Sequence, residues 1–251
     1  MASALAAALT SPAAAELARK GDVTVAFHGD LAPRRLPRTG TAPVSVQIGG
    51  KIKGSDPADP PVLDQIVLEI NRHGALQSKG LARCPLAKIS SGSSAEARKS
   101  CGDALVGHGN VTSRVTLPGQ GAFATNGPLL AFNGVSHGHP AILAQVATGA
   151  PLPLTYVIVF EIQKRPGTFG TRLAATLPPI ASSYGYISAF DMSLQRHYSF
   201  HGRQLSYAEA GCPAPKGFPG ASFPLAKASY EFAGGRALSA TLVRECKVSG
   251  K

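Results

Sequence analysis

The chain has 251 residues, of which 44% are hydrophobic and 16% are charged, and its formal net charge is +11. A chain of this length and apolar content can bury a hydrophobic core of its own. The 28 glycines and 20 prolines indicate many turns between short strands and exclude a protein built on long helices. No segment reaches the roughly 20 apolar residues that a membrane-spanning helix needs, so no membrane span is predicted.

Residues 1–21 are predicted to form a signal-like or disordered N-terminal segment. The apolar run 2–9 is followed by small alanines at 13–15, which are typical of the residues before a signal-peptidase site. We therefore expect cleavage before Glu16 and a secreted or cell-envelope location. No Lys or Arg precedes Arg19, and the alternative is an alanine-rich terminus that is weakly helical or unstructured.

Alternation of apolar and polar residues with a period of two predicts a series of half-buried strands. In chain order they cover residues 44–52, 66–71, 111–117, 129–132, 141–148, 155–163 and 186–200. The segment 155–163 is apolar on both faces and should lie centrally, whereas 186–200 predicts one long strand. Near the C terminus, a three-residue loop at 234–236 would place Phe232 opposite Leu238 and bring two apolar faces together.

Only residues 93–101 are predicted to be helical. Ser93 and Glu96 have the spacing of a capping box, in which the serine and the glutamate satisfy each other's backbone N–H groups. Because strands predominate, the predicted fold class is all-β: an antiparallel two-sheet sandwich, jelly-roll-like, in a single domain spanning 22–251. The alternative is two smaller β-domains divided near 118–128.

The four cysteines form an even set, which in an oxidising compartment predicts two disulfides. Three pairings are possible for Cys84, Cys101, Cys212 and Cys246. We favour Cys84 with Cys101 and Cys212 with Cys246, because these pairs join neighbours in sequence and leave the strand order unknotted. Closing a loop of about 15 residues stabilises a fold by roughly 3 kcal/mol in the chain-entropy model.

Several cysteine-containing segments carry a resemblance to a known group of proteins. The motif Cys-Pro-Ala-Pro-Lys-Gly-Phe at 212–218, the Cys-Pro pair at 84–85, the segment 101–107 and the final Cys246 resemble those of uncharacterised secreted β-rich proteins from actinobacteria. The likeness covers most of residues 22–248. It implies export, disulfides and a β-rich domain, and it implies no activity. Physically, two prolines and a glycine make the motif a stiff extended turn.

The basic excess is spread along the sequence, and the one dense basic run is Arg-Arg-Leu-Pro-Arg at 34–38. No basic motif with interleaved aromatic residues occurs, so no nucleic-acid binding is predicted. A secreted basic protein meets anionic polysaccharides and other envelope polyanions. The charge therefore indicates either such a partner or a contribution to solubility.

A candidate binding face lies on the polar side of the long predicted strand. Asp191, Gln195 and His197 alternate there with side chains that should face the core. Arg196 and Arg203 lie beside them. We expect this face to contact an anionic polysaccharide or another envelope component.

The predicted function is that of an exported, disulfide-linked, non-catalytic β-sandwich that binds an anionic envelope glycan or a protein partner. The alternative is a polysaccharide-active enzyme. A hydrolase needs two carboxylates about 5 to 9 Å apart, for which Asp191 and Glu161 are the candidates. A lyase could use Gln195, His197 and Tyr184.

No motif of a cofactor-dependent or nucleophilic enzyme occurs in the sequence. Gly-x-Ser-x-Gly, the phosphate-binding loop and Cys-x-x-Cys are all absent. The segment His137-Gly138-His139 offers two imidazoles, whereas a metal site needs three or four converging ligands. We therefore predict neither a metal nor a cofactor.

Overall fold

The structure, a computed structural model, describes residues 15–55, 60–117, 119–149, 153–179 and 185–249. The described residues form eighteen strands and one α-helix, and the predicted all-β class with one short helix is confirmed. The strands are β1 (Glu16–Lys20), β2 (Val23–Ala32), β3 (Arg35–Leu36), β4 (Ala42–Pro43), β5 (Ser45–Gly54), β6 (Leu63–Asn71), β7 (Gly74–Leu76), β8 (Leu105–Val115), β9 (Phe123–Ser136), β10 (His139–Thr148), β11 (Leu154–Lys164), β12 (Phe169–Thr176), β13 (Gly185–Leu194), β14 (His197–Phe200), β15 (Arg203–Ser206), β16 (Ala208–Ala210), β17 (Gly220–Phe232) and β18 (Arg236–Val248).

The helix α1 spans Ser94–Cys101, close to the predicted range, and short 3-10 turns flank it at Leu86–Lys88 and Gly102–Ala104. Both predicted disulfides are formed, Cys84 with Cys101 and Cys212 with Cys246. The pairing of neighbours is therefore confirmed.

Thirteen strands form one continuous sheet in the order β1-β2-β5-β13-β8-β9-β10-β11-β12-β6-β17-β18-β3. Neighbouring strands are antiparallel, except that β3 pairs with β18 in parallel. The predicted division into two antiparallel sheets, as in a jelly roll, is not observed, because the sheet curls until its two ends meet. Alternation fixes which face of a strand is buried, but it does not determine which strands are hydrogen-bonded to each other.

The two ends of the sheet meet where β2 approaches β18. Arg244 of β18 is buried, and its Nε donates a hydrogen bond of 2.8 Å to the carbonyl oxygen of Gly29 on β2. Arg236, at the start of β18, forms an ion pair with Asp22. A Cβ at Gly29 would lie 2.7 Å from a backbone oxygen of β5 and 3.1 Å from the Leu242 side chain. A side chain at position 29 would therefore clash with the backbone of β5 and crowd Leu242 of β18, so glycine suits this position.

The main core fills the inside of the curled sheet. Its strands show the expected alternation, for example β2, in which Val23, Val25 and Phe27 are fully buried. The alternation in β2 is regular, yet this strand was not among those predicted. Two tyrosines, Tyr207 and Tyr230, are also completely enclosed.

A second, smaller core lies on the opposite face of β9, β10 and β11. Phe132 and Leu143 pack there against Ile89 and Ala97 of the segment that carries α1. Both faces of these strands are consequently covered. The apolar character of both faces of 155–163 is explained in this way, and its predicted central position, between β10 and β12, is confirmed.

Two predicted details are wrong. The long strand 186–200 ends at Leu194, and the chain resumes as β14, which pairs with β15 in a separate two-stranded sheet.

The C-terminal hairpin has a loop of three residues, as predicted, but the loop is 233–235. Phe232 therefore lies opposite Arg236 instead of Leu238. The two registers differ by two residues, which leaves the same faces inward, and alternation alone cannot distinguish them.

The predicted N-terminal segment is described in part. Residues 1–14 lie outside the described residues. β1 pairs antiparallel with β2, and the predicted boundary between residues 21 and 22 falls in the turn that joins them. Cleavage before Glu16 would leave β1 intact.

The buried tyrosines make a prediction about alkaline stability. Burial raises the pKa of the Tyr156 hydroxyl to about 12, despite a hydrogen bond with Ser113 that lowers it, and burial also raises the pKa of Tyr207 and Tyr230. The unfolded chain releases these protons near pH 10, while the folded protein retains them. Stability should therefore fall as the pH rises above about 10.

A spectrophotometric titration of tyrosinate, run beside thermal melts, tests this expectation. The tyrosinate absorbance of the buried tyrosines should appear only when the protein unfolds, and Tyr156→Phe should make this delayed fraction of the signal smaller. Complete titration near pH 10 by a protein that remains folded would contradict it.

Candidate functional site

An open groove of about 330 Å³ lies beside the Cys84–Cys101 disulfide. Four basic side chains and one acidic side chain are among those that line it: Arg83, Lys88, Arg98, Lys99 and Asp103. All four cations are exposed, and no ion pair of the described residues involves them. The groove therefore presents positive charge that the protein itself leaves largely uncompensated.

The helix α1 forms one wall of the groove. Its start is fixed by the predicted capping box: Glu96 N donates to Ser93 Oγ at 3.2 Å, and Ser93 N donates to Glu96 Oε2 at 2.7 Å. The hydrogen bonds that Ser93 donates to the Glu96 carboxylate, from its backbone N and from its Oγ at 2.9 Å, hold the pKa of that carboxyl below its usual value. Ala97 and Cys101 are buried against the second core. The two cations of the last helical turn consequently face solvent.

Two buried amides attach the other wall to the sheet. Gln145 on β10 is fully buried, and its Nε2 donates to the carbonyl oxygens of Ile89 at 3.0 Å and Gly92 at 2.9 Å. Asn133 on β9 donates from Nδ2 to the carbonyl oxygen of Ala82 at 2.8 Å. Hydrogen bonds of this kind fix an irregular segment that has no regular pairing of its own.

The disulfide joins the two walls. Cys84 and Cys101 are 17 residues apart in sequence, but their Cα atoms are 5.5 Å apart, and both residues are buried. Arg83 and the cations of α1 are thereby held beside each other. The groove is thus built by one cystine, one helix cap and two buried amides.

The structure distributes the predicted binding face over several elements. Asp191 is exposed within β13, and Gln195 and Arg196 lie between β13 and β14. His197 begins β14 and Arg203 begins β15. Asp191 and Gln195 are separated by about 13 Å along the chain, at 3.3 Å per residue. The face is therefore not the surface of a single strand.

The β14–β15 hairpin turns at His201-Gly202, whose φ angles of 49° and 72° are those of a two-residue type I′ turn. Tyr198 donates its hydroxyl to the carbonyl oxygens of Gln77 at 3.2 Å and Lys79 at 3.0 Å. These bonds fix the hairpin on the segment that leads to Arg83.

A second contact links the same region to the groove. Gln195 N donates to the carbonyl oxygen of Val106 at 3.3 Å, two residues after Ala104, which lines the groove. Short segments of chain therefore connect the hairpin to the groove. Of the predicted face, Gln195, Arg196 and the hairpin residues lie at this junction, whereas Asp191 lies farther along β13.

The sequence did not indicate the groove cations, because they are spread along the chain and only the fold brings them together. The densest basic run in the sequence is used for structure: Arg34 pairs with Asp30, and Arg38 donates to the carbonyl oxygens of Ala214 and Phe218, both at 2.8 Å. The signal that could have revealed the groove was the predicted cystine. It closes a loop that contains Lys88, Arg98 and Lys99, and Arg83 directly precedes that loop.

The described residues that the enzyme alternative requires do not form a catalytic arrangement. Asp191 on β13 and Glu161 on β11 are separated by three intervening strands, about 19 Å along the sheet at 4.8 Å per step, which is beyond the 5 to 9 Å that glycosidases need. Tyr184 lies outside the described residues. Among those that are described, no group of three potential ligands could hold a metal ion.

A Ser-His-Glu cluster at the β9–β10 turn also lacks catalytic geometry. Glu161 Oε1 lies 3.1 Å from both His137 Nδ1 and Ser136 Oγ, and these hydrogen bonds lower the pKa of Glu161. Ser136 Oγ also lies 3.1 Å from Nδ1. A proton relay needs serine and carboxylate on opposite imidazole nitrogens, whereas here both contact the same nitrogen.

Comparisons with known proteins do not add a function. No family model, curated protein or solved structure matches the chain. No helix within the described ranges is long and apolar enough to cross a membrane. The functional argument therefore depends on the groove and the adjoining hairpin.

The role of Gln145 in holding the groove can be tested by Gln145→Leu. This change removes the donor to two carbonyl groups, and it should lower the free energy of unfolding by about 1 to 3 kcal/mol. Urea denaturation measures the effect. The matched control is Gln204→Leu on the exposed surface of β15, which should change stability by less than about 0.5 kcal/mol. Equal stability of the two variants would show that the amide does not hold the wall.

Proposed function

We propose that the protein is an exported, non-catalytic binding protein that holds an anionic glycan on a basic surface. This basic surface comprises the groove cations Arg83, Lys88, Arg98 and Lys99 and the adjoining residues Gln195, Arg196, His197 and Arg203. The observation that carries the proposal is the convergence of four exposed cations on one groove without compensating ion pairs among the described residues.

An extended polyanion fits this surface better than a single small anion. The groove is open to solvent, and the positive residues continue from it onto the hairpin through the segment 77–83. A polymer with a negative charge on each repeat can contact cations along the whole path, and such contacts add up. Each separate contact between exposed charges contributes little.

Two observations favour binding over catalysis. Asp103 is the one carboxylate among the described lining residues of the groove, whereas a glycosidase needs a pair. The described residues of the lyase alternative, Gln195 and His197, are exposed and lie outside the lining of the groove. A lyase remains the rival that an activity measurement must address.

The disulfides support export. Both bridges are formed between buried cysteines, and the described chain has no free thiol. Disulfides of this structural kind persist in oxidising compartments and are rare in the cytosol. We therefore place the protein in the extracellular space or the cell envelope, where anionic glycans are abundant.

The groove is tested by the double variant Arg98→Ser/Lys99→Ser. Binding of a heparin-derived sulfated hexasaccharide, measured by calorimetry, should weaken about 5- to 30-fold, since each exposed ion pair contributes roughly 0.5 to 1 kcal/mol. The affinity of the unaltered protein for the hexasaccharide should also fall when the salt concentration rises from 50 to 150 mM, because the Debye screening length shortens to about 8 Å at 0.15 M. Neutral dextran should not bind.

The matched control removes the same charge elsewhere. Lys51 and Lys53 are exposed on β5, and Lys51→Ser/Lys53→Ser should leave affinity within about twofold of the unaltered protein, the effect of diffuse charge alone. Equal weakening by the two double variants would mean that binding reflects net charge and not a site.

The hairpin is tested separately by His197→Ala/Arg203→Ser. Both side chains are exposed, so stability should stay within about 0.5 kcal/mol of the unaltered protein. Hexasaccharide affinity should fall about two- to fivefold, in line with one or two exposed charges.

The same samples are assayed for unsaturated sugar products and new reducing ends. Product formation that His197→Ala abolishes would replace the binding proposal with a lyase.

A further inference from the structure

Two adjoining apolar cavities lie inside the curled sheet. The first has a volume of about 40 Å³ and the second about 70 Å³. Side chains of β5, β6 and β13 line both: Ile48, Leu68 and Met192. The first cavity is lined by hydrophobic side chains alone, including Phe160 and Phe190. Protein interiors normally contain few voids larger than a water molecule, so two neighbouring ones are unusual.

Met192 lines both cavities, as do Ile48 and Leu68. It is buried, and it is the one methionine among the described residues of a core that otherwise uses leucine, isoleucine, valine and aromatic side chains. Methionine is unbranched and has three rotatable side-chain bonds, so it changes shape at low cost. If a change of rotamer at Met192 joined the two cavities, their combined volume would be about 110 Å³.

The lining determines the chemical class of a ligand. An apolar cavity does not hold water well, and one of about 150 Å³ takes up benzene, so a joined cavity of about 110 Å³ makes benzene the upper limit of ligand size. Glu209 is the one charged residue among the described lining residues, but its carboxylate accepts a hydrogen bond of 2.8 Å from the exposed Thr41, on the side of β16 opposite the buried Ala208 and Ala210. An ionised headgroup would therefore lose its hydration in the cavities without gaining a polar partner, which favours a neutral ligand.

We propose that the interior of the curled sheet is a binding site for a neutral apolar molecule of about six carbon atoms, which enters the joined cavity when Met192 moves. The site is separate from the basic surface. The groove is built on the outer face of β9 and β10, whereas the cavities lie on their inner face. The two proposals can therefore fail independently.

The test uses benzene and its anionic counterpart benzoate on the unaltered protein. The chain has two methionines, so methyl-labelled methionine gives one reporter signal from Met192 and one from Met1. Benzene should shift the Met192 methyl resonance in a saturable way and raise the thermal midpoint by about 2 to 4 °C at concentrations well above its dissociation constant. Benzoate should do neither. A Met192 signal that saturating benzene leaves unmoved, or that benzoate moves equally, would overturn the proposal.

A pair of matched variants locates the site. Val111 lines the first cavity, and Val111→Ile adds one methylene to it. Val157 packs against the second core, so Val157→Ile makes the same change on the other face of the sheet. Affinity for benzene should fall at least about fourfold in the first variant, the value of one methylene of apolar contact, and should be unchanged in the second. Equal affinity in both variants would place benzene elsewhere and refute the cavity as its site.

Discussion

The close approach of β2 to β18 is the constraint on which the rest of the structure depends. It is held by the buried guanidinium of Arg244, which donates to the carbonyl oxygen of Gly29. Because the ends of the sheet meet, thirteen strands enclose one interior. The inner face then holds the main core with its two cavities, and the outer face of β9 to β11 is free to carry the α1 segment and its groove.

The protein uses its basic residues in two different ways. Arg38, Arg236 and Arg244 donate to carbonyl groups or to a carboxylate of the same chain and hold distant segments together. The cations of the groove have no ion-pair partners among the described residues. An excess of positive charge at one place costs stability through mutual repulsion. The anionic partner that we propose would supply the missing negative charge.

Local features of the fold were predictable from the sequence, and long-range ones were not. The capping box of Ser93 and Glu96 and both cystines depend on residues close in sequence, and they are found as expected. The single curled sheet depends on strand neighbours that alternation does not specify. The groove combines a cystine, a helix end and the buried amide of Gln145, more than 40 residues away, so charge counted along the chain did not reveal it.

The central claim is that the basic surface around the Cys84–Cys101 cystine is where an anionic glycan binds. The most direct measurement is an NMR titration of the labelled protein with the sulfated hexasaccharide, following each backbone amide. The account predicts saturable shifts confined to residues 77–104 and 195–206. Shifts spread over all basic regions, or centred on the Arg165 and Arg172 cluster beside Gln163, would contradict it.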